Sequence, residues 1–273
     1  MKDYSDNTFI TQTSEEDLNV NNSDTWNGLN TTTLHQVSSE GTVLGMNFNS
    51  ESISGTTVLD SSAENNHGTN NGATHNTTGG FNGGGCFDFD GVNDVIEVID
   101  GEEIINGLDE ISFSIWLKAT SVGNDKSLIY GYIITSNSDN KLSIRYDSSG
   151  YQGGGTNVIK MGITVNTNDI TLESSNNVQT TDWQHLVLTW KSGEQIKLYI
   201  DGILDVPTYN SASEVGVITG LTKFFIGSGR LSEYWNGSID EVRIYNRSLS
   251  ADEIRNLYEQ RDEIHDPFVY KTV

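Results

Sequence analysis

The clearest regularity in the chain is a two-residue alternation of apolar and polar positions, in short blocks separated by Gly, Asn and Asp. It is cleanest in Ile111-Ser112-Phe113-Ser114-Ile115-Trp116-Leu117. Ile111, Phe113, Ile115 and Leu117 fall on one face of such a strand, and Ser112, Ser114 and Trp116 on the other. The same period in Leu44, Met46 and Phe48, and through residues 128–134 and 142–146, predicts half-buried strands. Residues 86–89 and 95–98 read as strands on either side of an Asp90-Gly91 turn, and 158–165 and 169–172 add two more. Residues 183–190 are apolar on both faces, as a central strand between two layers should be. Asp201-Gly202 between two apolar runs marks a hairpin, because both residues tolerate positive φ. Residues 224–227 read as a further buried strand. Residues 54–80 read mostly as loop, punctuated by Gly55, Asn65-Asn66, Asn70-Asn71-Gly72 and Gly79-Gly80.

One segment departs from this period. Ile254, Leu257 and Tyr258 form a helical stripe, Ser250 can cap it, and Glu253 three residues later completes a capping box. The spacing predicts a helix over 250–261 that docks on the edge of a sandwich. The pattern as a whole is that of an all-β protein with one short C-terminal helix. Residues 1–40 are polar, with apolar positions scattered at Phe9, Ile10, Leu18, Trp26, Leu29 and Leu34, and read as an N-terminal arm or linker. The globular domain spans 41–262, and 263–273 form a tail containing Phe268-Val269-Tyr270.

Composition narrows the function classes. In 273 residues there are 34% hydrophobic residues and only two prolines, so turns rely on Gly, Asn and Asp. The net charge of −23 leaves few cations to neutralise phosphates, which argues against nucleic acid and against anionic lipid surfaces. It suits a soluble secreted protein and leaves carboxylates spare for calcium. Cys86 is the single cysteine, so no intrachain disulfide forms, and its setting reads as an inert thiol at an inward strand position. No run of about 18 apolar residues is present to span a membrane, and the N-terminus lacks a signal-peptide core. A protein of this kind working outside the cell is expected to be a mature form or a fragment of something longer. Asn-x-Ser/Thr sequons begin at Asn21, Asn30, Asn76, Asn236 and Asn246.

The order of short motifs is more specific than any of them alone. Asn47-Phe48-Asn49 is followed by Gly55-Thr56-Thr57-Val58-Leu59-Asp60-Ser61-Ser62, Asn65-Asn66-His67-Gly68 and Phe89-Asp90-Gly91. Then come Phe113-Ser114-Ile115-Trp116, Trp183-Gln184-His185-Leu186, Leu198-Tyr199-Ile200-Asp201-Gly202 and Gly237-Ser238-Ile239-Asp240-Glu241-Val242. This series, over roughly residues 42–260, resembles the laminin-G-like domains of the concanavalin A-like lectin/glucanase superfamily. The resemblance implies a jelly roll: two antiparallel sheets packed face to face. It also implies a structural calcium, with Asp240 as the side-chain ligand, Gly91 and Asn49 where carbonyl donors fall, and Asp60 and Asp90 as further ligands.

Glucanases of this fold place two carboxylates on one face at alternating strand positions, with retention requiring a separation of about 5–5.5 Å. No such pattern occurs. Glu97 stands alone in its strand, and the adjacent Glu102 and Glu103 would face opposite ways. His185 reads as a satisfied core histidine, and His67 and His75 lack a second ligand at metal spacing. Sugar binding by sandwiches of this kind uses aromatic rings in loops, where packing does not require them. Tyr151, Tyr209, Tyr234 and Trp235 are the loop candidates, and Trp116, Tyr130 and Tyr132 are placed to line a sheet face, with packing the preferred reading for Trp116 and Trp183. The expected function is a non-catalytic extracellular binding or adhesion module for glycans or a cell-surface protein. The alternative is a structural subunit of a surface filament or layer, self-associating through residues 1–40; a glycoside hydrolase comes third.

Overall fold

The computed structural model describes residues 39–132, 142–150, 154–228 and 233–259. All of them lie in one unit, Val37–Val273. The expected arm (apart from residues 39 and 40), the tail at 263–273 and Tyr151 lie outside the described residues.

In chain order the strands are β1 (Thr42–Met46), β2 (Ile53–Ser54), β3 (Thr57–Val58), β4 (Gly68–Asn71), β5 (Thr74–Asn76) and β6 (Cys86–Asp90). They continue with β7 (Val95–Val98), β8 (Glu110–Ala119), β9 (Lys126–Tyr132), β10 (Leu142–Asp147), β11 (Val158–Val165) and β12 (Asn168–Glu173). The last are β13 (Gln184–Lys191), β14 (Lys197–Ile200), β15 (Ile203–Leu204), β16 (Tyr209–Asn210), β17 (Lys223–Ile226) and β18 (Asn236–Tyr245), followed by helix α1 (Ala251–Glu259). They form two antiparallel sheets. The eight-stranded sheet runs β15-β14-β13-β8-β18-β6-β5, with β1 also on β18; the ten-stranded sheet runs β16-β12-β11-β10-β9-β17-β7-β4-β3-β2.

The alternation predicted from sequence sets the layers. In β8, Ile111, Phe113, Ile115 and Leu117 enter the single large core, joined by Leu186, Leu188 and Trp190 of β13 and by Ile144, Met161 and Phe224 of the other sheet. The opposite face of the eight-stranded sheet is covered too. Val187, Tyr199 and Tyr245 on that face pack with Leu249, Ile254 and Leu257, so the helix lies on the outer face of the sheet. The strands missed by sequence reading, β2 to β5, are short and rich in Thr, Asn and Ser. They are held by pairing to β7 and β6, and carry too few apolar positions to show a period.

The strand that matters most locally is β18. Its first half pairs with β6, Asn236 opposite Asp90 through Ile239 opposite Phe87. Its second half pairs with β1, Val242 opposite Met46 and Ile244 opposite Leu44. The changeover is a bulge: the register with β8 shifts between Asp240 and Arg243, and Glu241 takes a φ of 48°. A left-handed non-glycine residue in a strand is costly and marks a place where backbone is being re-aimed.

The helix start matches the predicted capping box. The Glu253 backbone N–H donates to Ser250 Oγ at 3.3 Å, and Glu253 Oε2 accepts from the Ser250 N–H at 2.8 Å. Arg247 reaches the same carboxylate at 2.7 Å and, with the Ser250 bonds, holds its pKa down at about 2. Ser250→Ala is expected to lower stability by about 1 kcal/mol, seen as a lower urea midpoint with an unchanged m-value.

Candidate functional site

Ile239 enters the core, so alternation puts the Asp240 side chain on the outer face of the eight-stranded sheet, where residues 77–85 fold over it. Asp240 is 1% exposed. Its Oδ1 accepts the Glu241 N–H at 2.7 Å and its Oδ2 the Phe81 N–H at 3.3 Å. Gly80 lies against this carboxylate. A Cβ on Gly80 would meet the Gly85 carbonyl oxygen at 2.6 Å, Asp240 Oδ2 at 2.7 Å and the Gly84 carbonyl oxygen at 2.9 Å. Two carbonyls of the same loop and the distant Asp240 carboxylate thus crowd position 80, which leaves room for no side chain there. Asn49 closes the same loop from the other side, its Oδ1 accepting the Gly85 N–H at 2.9 Å.

Burial, then the neighbouring Glu241 carboxylate, raises the Asp240 pKa to about 8, although its two backbone hydrogen bonds and Arg243 pull the other way. The carboxylate is therefore short of compensating charge. Among the described residues no group of three or more His, Cys, Asp or Glu could hold a metal. A cation here would draw on Asp240 and the Gly85 carbonyl, since the Gly84 carbonyl accepts the Gly80 N–H at 2.9 Å and Asn49 Oδ1 the Gly85 N–H. Such oxygens suit a hard cation, and the low ligand charge suits weak binding.

Other expected ligands fall elsewhere. Gly91 lies at the opposite end of β6, packed against Asn236 with a φ of 78°, because β6 runs away from Asp240 rather than toward it. The carbonyls facing Asp240 come from Gly84 and Gly85 instead. Asp60 is also displaced from a metal role. Its two oxygens accept Gly45 N–H at 2.7 Å, Ser62 N–H at 2.9 Å, Ser62 Oγ at 2.6 Å and Asn66 N–H at 2.8 Å. Four donors use up the acceptor capacity of a carboxylate; Asp60 organises its loop. Asp90 closes its own turn by accepting the Val92 N–H at 2.7 Å. His67 and His75 tie loops to the chain: His67 Nδ1 accepts the Asp60 N–H, and His75 Nε2 bonds the Phe48 carbonyl.

Trp235 corrects the expectation of a loop aromatic free to bind. It is fully buried in the core, edge-on to Tyr146 at 5.2 Å, with its backbone N–H fixed to the Gly227 carbonyl at 2.9 Å. Tyr234 beside it is half-buried, as is Tyr209 in edge strand β16. Sequence reading missed Phe81. Its ring stacks on Trp116 at 4.1 Å and 5°, and Trp116 in turn stacks on His185 at 4.9 Å and on Tyr258 at 5.7 Å. This stack pins residues 77–85 to the sheet beside Asp240.

His185 is buried in that stack rather than in the main core. Its Nε2 meets Ser114 Oγ at 2.8 Å, while Nδ1 has no hydrogen-bond partner. Burial, then Arg243, lowers its pKa to about 3, so the ring is neutral. Cys86 likewise faces outward from its sheet, under the same loop, since Phe87 and Phe89 take the core side. Burial and the Asp88 and Asp240 carboxylates push its pKa up to about 12, which makes it an inert thiol.

Comparison with known proteins places this geometry in context. The family profile of the concanavalin A-like lectin/glucanases superfamily matches residues 89–255. Adhesion G-protein coupled receptor D1 of Homo sapiens is 34% identical over 91 residues, covering 32% of this chain and 10% of the receptor. The Bos taurus receptor is 32% identical over 80 residues, covering 26% of this chain and 8% of the receptor. The matched stretch is thus about a tenth of either receptor's length. Among solved structures, domain 4 of AbnA, an extracellular GH43 arabinanase of Geobacillus stearothermophilus in complex with arabinotriose, superposes with TM-score 0.57 at 18% identity. That match covers 80% of this chain and 98% of the domain. The binding domain of Paraclostridial Mosquitocidal Protein 1 gives TM-score 0.60 at 16% identity, over 82% of this chain and 52% of that one. A botulinum neurotoxin DC binding domain in complex with SialylT gives 0.57 at 14%, over 82% and 52%. At these identities the solved structures show the shared fold.

Proposed function

Since the chain belongs to the concanavalin A-like lectin/glucanases superfamily, we propose that it is a non-catalytic extracellular module that binds glycans, with calcium held at Asp240. The observation that carries the reading is the loop 77–85, held over a buried carboxylate by the Phe81 N–H, by the Asn49–Gly85 hydrogen bond and by an aromatic stack. This is a device for fixing loops at the surface of a sandwich. Held by Asp240, calcium would supply the compensating positive charge that this buried carboxylate lacks. The chain's own residues do the rest: Asn49 holds Gly85, and Phe81 holds the loop on Trp116.

Two structural neighbours support glycans as the ligand class: one was solved with arabinotriose, another with SialylT. The resemblance to an adhesion receptor supports an extracellular setting and surface partners. No helix among the described residues is long and apolar enough to cross a membrane. Tyr209 and Tyr234 are half-buried aromatics available to a ligand. Glu97, alone in its strand, pairs with Lys223. Incubating the full chain with arabinotriose and with sialylated oligosaccharides tests the binding reading against hydrolysis. Heat of binding with intact sugar recovered is expected; released shorter sugars would replace this reading with a glycosidase.

A second reading, a surface-filament subunit, is favoured by one edge. Strand β15 ends the eight-stranded sheet with Ile203 74% and Leu204 53% exposed, next to Val206 at 80%. An apolar, unpaired edge is a template for a neighbour's extended segment, and residues 1–40 would supply it.

A further inference from the structure

At the end of the sandwich where β1 begins and β7 ends, a concavity of about 700 Å³ opens between the loop 64–67 and the turn 99–108. Val43 lines its depth, 8% exposed and part of the core, and Ile104 and Leu108 pack against that core. Ile99 is 54% exposed in the same lining. The walls are tied to the sheets. Asn66 Nδ2 donates to the Val43 carbonyl at 2.8 Å, and the Ile99 N–H to the His67 carbonyl at 3.2 Å. His67 Nδ1 accepts the Asp60 N–H at 3.1 Å, and the Glu103 N–H donates to the Asp100 carbonyl at 2.9 Å. The shape is therefore formed before any ligand arrives, which lowers the cost of binding.

Charge decides what fits. Glu64, Asp100 and Glu103 line the concavity, all three exposed, and none of them pairs with a cation among the described residues. No Lys or Arg lines it. An exposed carboxylate alone needs no partner. Here the three stand around a preformed hollow with an apolar floor, so an aliphatic chain can lie on the floor while its charged end meets the rim. Lys and Arg are the side chains divided in this way, with an apolar stem and a cationic head.

We propose that this concavity docks a basic segment of a partner protein, with Lys or Arg stems against Ile99, Ile104 and Leu108 and their heads among Glu64, Asp100 and Glu103. A hollow of this size holds more than one side chain and suits a segment of a few residues. The chain itself is a poor source of that segment. Residues 1–40 carry Lys2 against seven acidic residues, and a second copy brings a further net charge of −23. Charge complementarity therefore selects a different, basic polypeptide and speeds its approach. None of the residues around Asp240 lines the concavity, so this docking goes beyond the glycan and calcium readings and stands apart from them.

The test uses the full chain and a dye-labelled hexapeptide of alternating Lys and Ala, with its Glu and Ala counterpart as control and free spermidine as competitor. Fluorescence anisotropy is expected to show binding of the Lys peptide alone, weakened by salt. Glu64→Gln combined with Glu103→Gln weakens it about five-fold. Ile99→Ser weakens it about ten-fold although the charge is unchanged. Glu51→Gln combined with Asp182→Asn removes the same charge elsewhere and leaves the affinity as it was. Hydrogen exchange on the unmodified chain checks the place without variants: bound peptide slows exchange at residues 99–107. Equal losses in the two double variants, with no effect of Ile99→Ser, would reduce the binding to diffuse attraction and overturn the site. No binding of the Lys peptide would overturn it as well. Spermidine binding more tightly than the peptide would overturn the polypeptide assignment in favour of a free polyamine.

Discussion

Asp240→Asn is expected to abolish the calcium-dependent rise in melting temperature and to flatten the pH dependence of the calcium-free protein. The sign comes from the raised pKa. The unfolded carboxyl titrates near 3.8 and the folded one near 8, so between those values the folded state retains a proton that the unfolded state releases. Stability from this group is fully present below about pH 4 and is lost as pH rises toward 8. The full span corresponds to at most about 6 kcal/mol. In EDTA the wild type therefore melts lower at pH 8 than at pH 5, by the part of this contribution that falls between those two pH values. Asn has no charge to desolvate, but it accepts only one of the two backbone bonds, from Glu241 or Phe81, at a cost of about 1 kcal/mol. Calcium favours the ionised form, so its affinity rises over the same pH range. Thermal melts of both proteins at pH 5 and 8, with calcium and with EDTA, give the comparison. An equal calcium shift in the variant would remove Asp240 from the site.

The second large effect is on folding. Trp235→Ala should cost about 3–5 kcal/mol, because the ring is 0% exposed and packs on Tyr146 in the core. Trp235→Phe should retain most of the fold and all ligand affinity. A denaturant melt of the Ala variant and a sugar titration of the Phe variant separate the two roles. If Trp235→Phe folded normally but lost the sugar, the ring would have to be reached by ligand, against its burial.

The error over Trp235 shows what the chain made legible. Counting back from Ile239 by twos gives Gly237 and Trp235, all buried, so the period that located β18 also located the tryptophan inside. It was hidden because the residue lies one position before the strand begins. The alternation in β8, the Asp201-Gly202 hairpin and the Ser250 capping box were readable because each is local. Asp240 is singled out by the resemblance of its surrounding motif and stays a proposed calcium ligand. The Gly84 and Gly85 carbonyls near it are not legible in the sequence: they approach only because 77–85 folds back over β6, a long-range event that no nearby residue encodes. The same holds for Phe81, whose partner Trp116 is distant in sequence.

The most direct test of the account is a glycan-array scan of the full chain in calcium, repeated in EDTA, with molecular mass measured on the same sample. The account predicts sugar binding by the monomer, weakened when calcium is removed. Absence of sugar binding, together with large assemblies that disappear when residues 1–40 are deleted, would contradict it and identify a filament subunit instead.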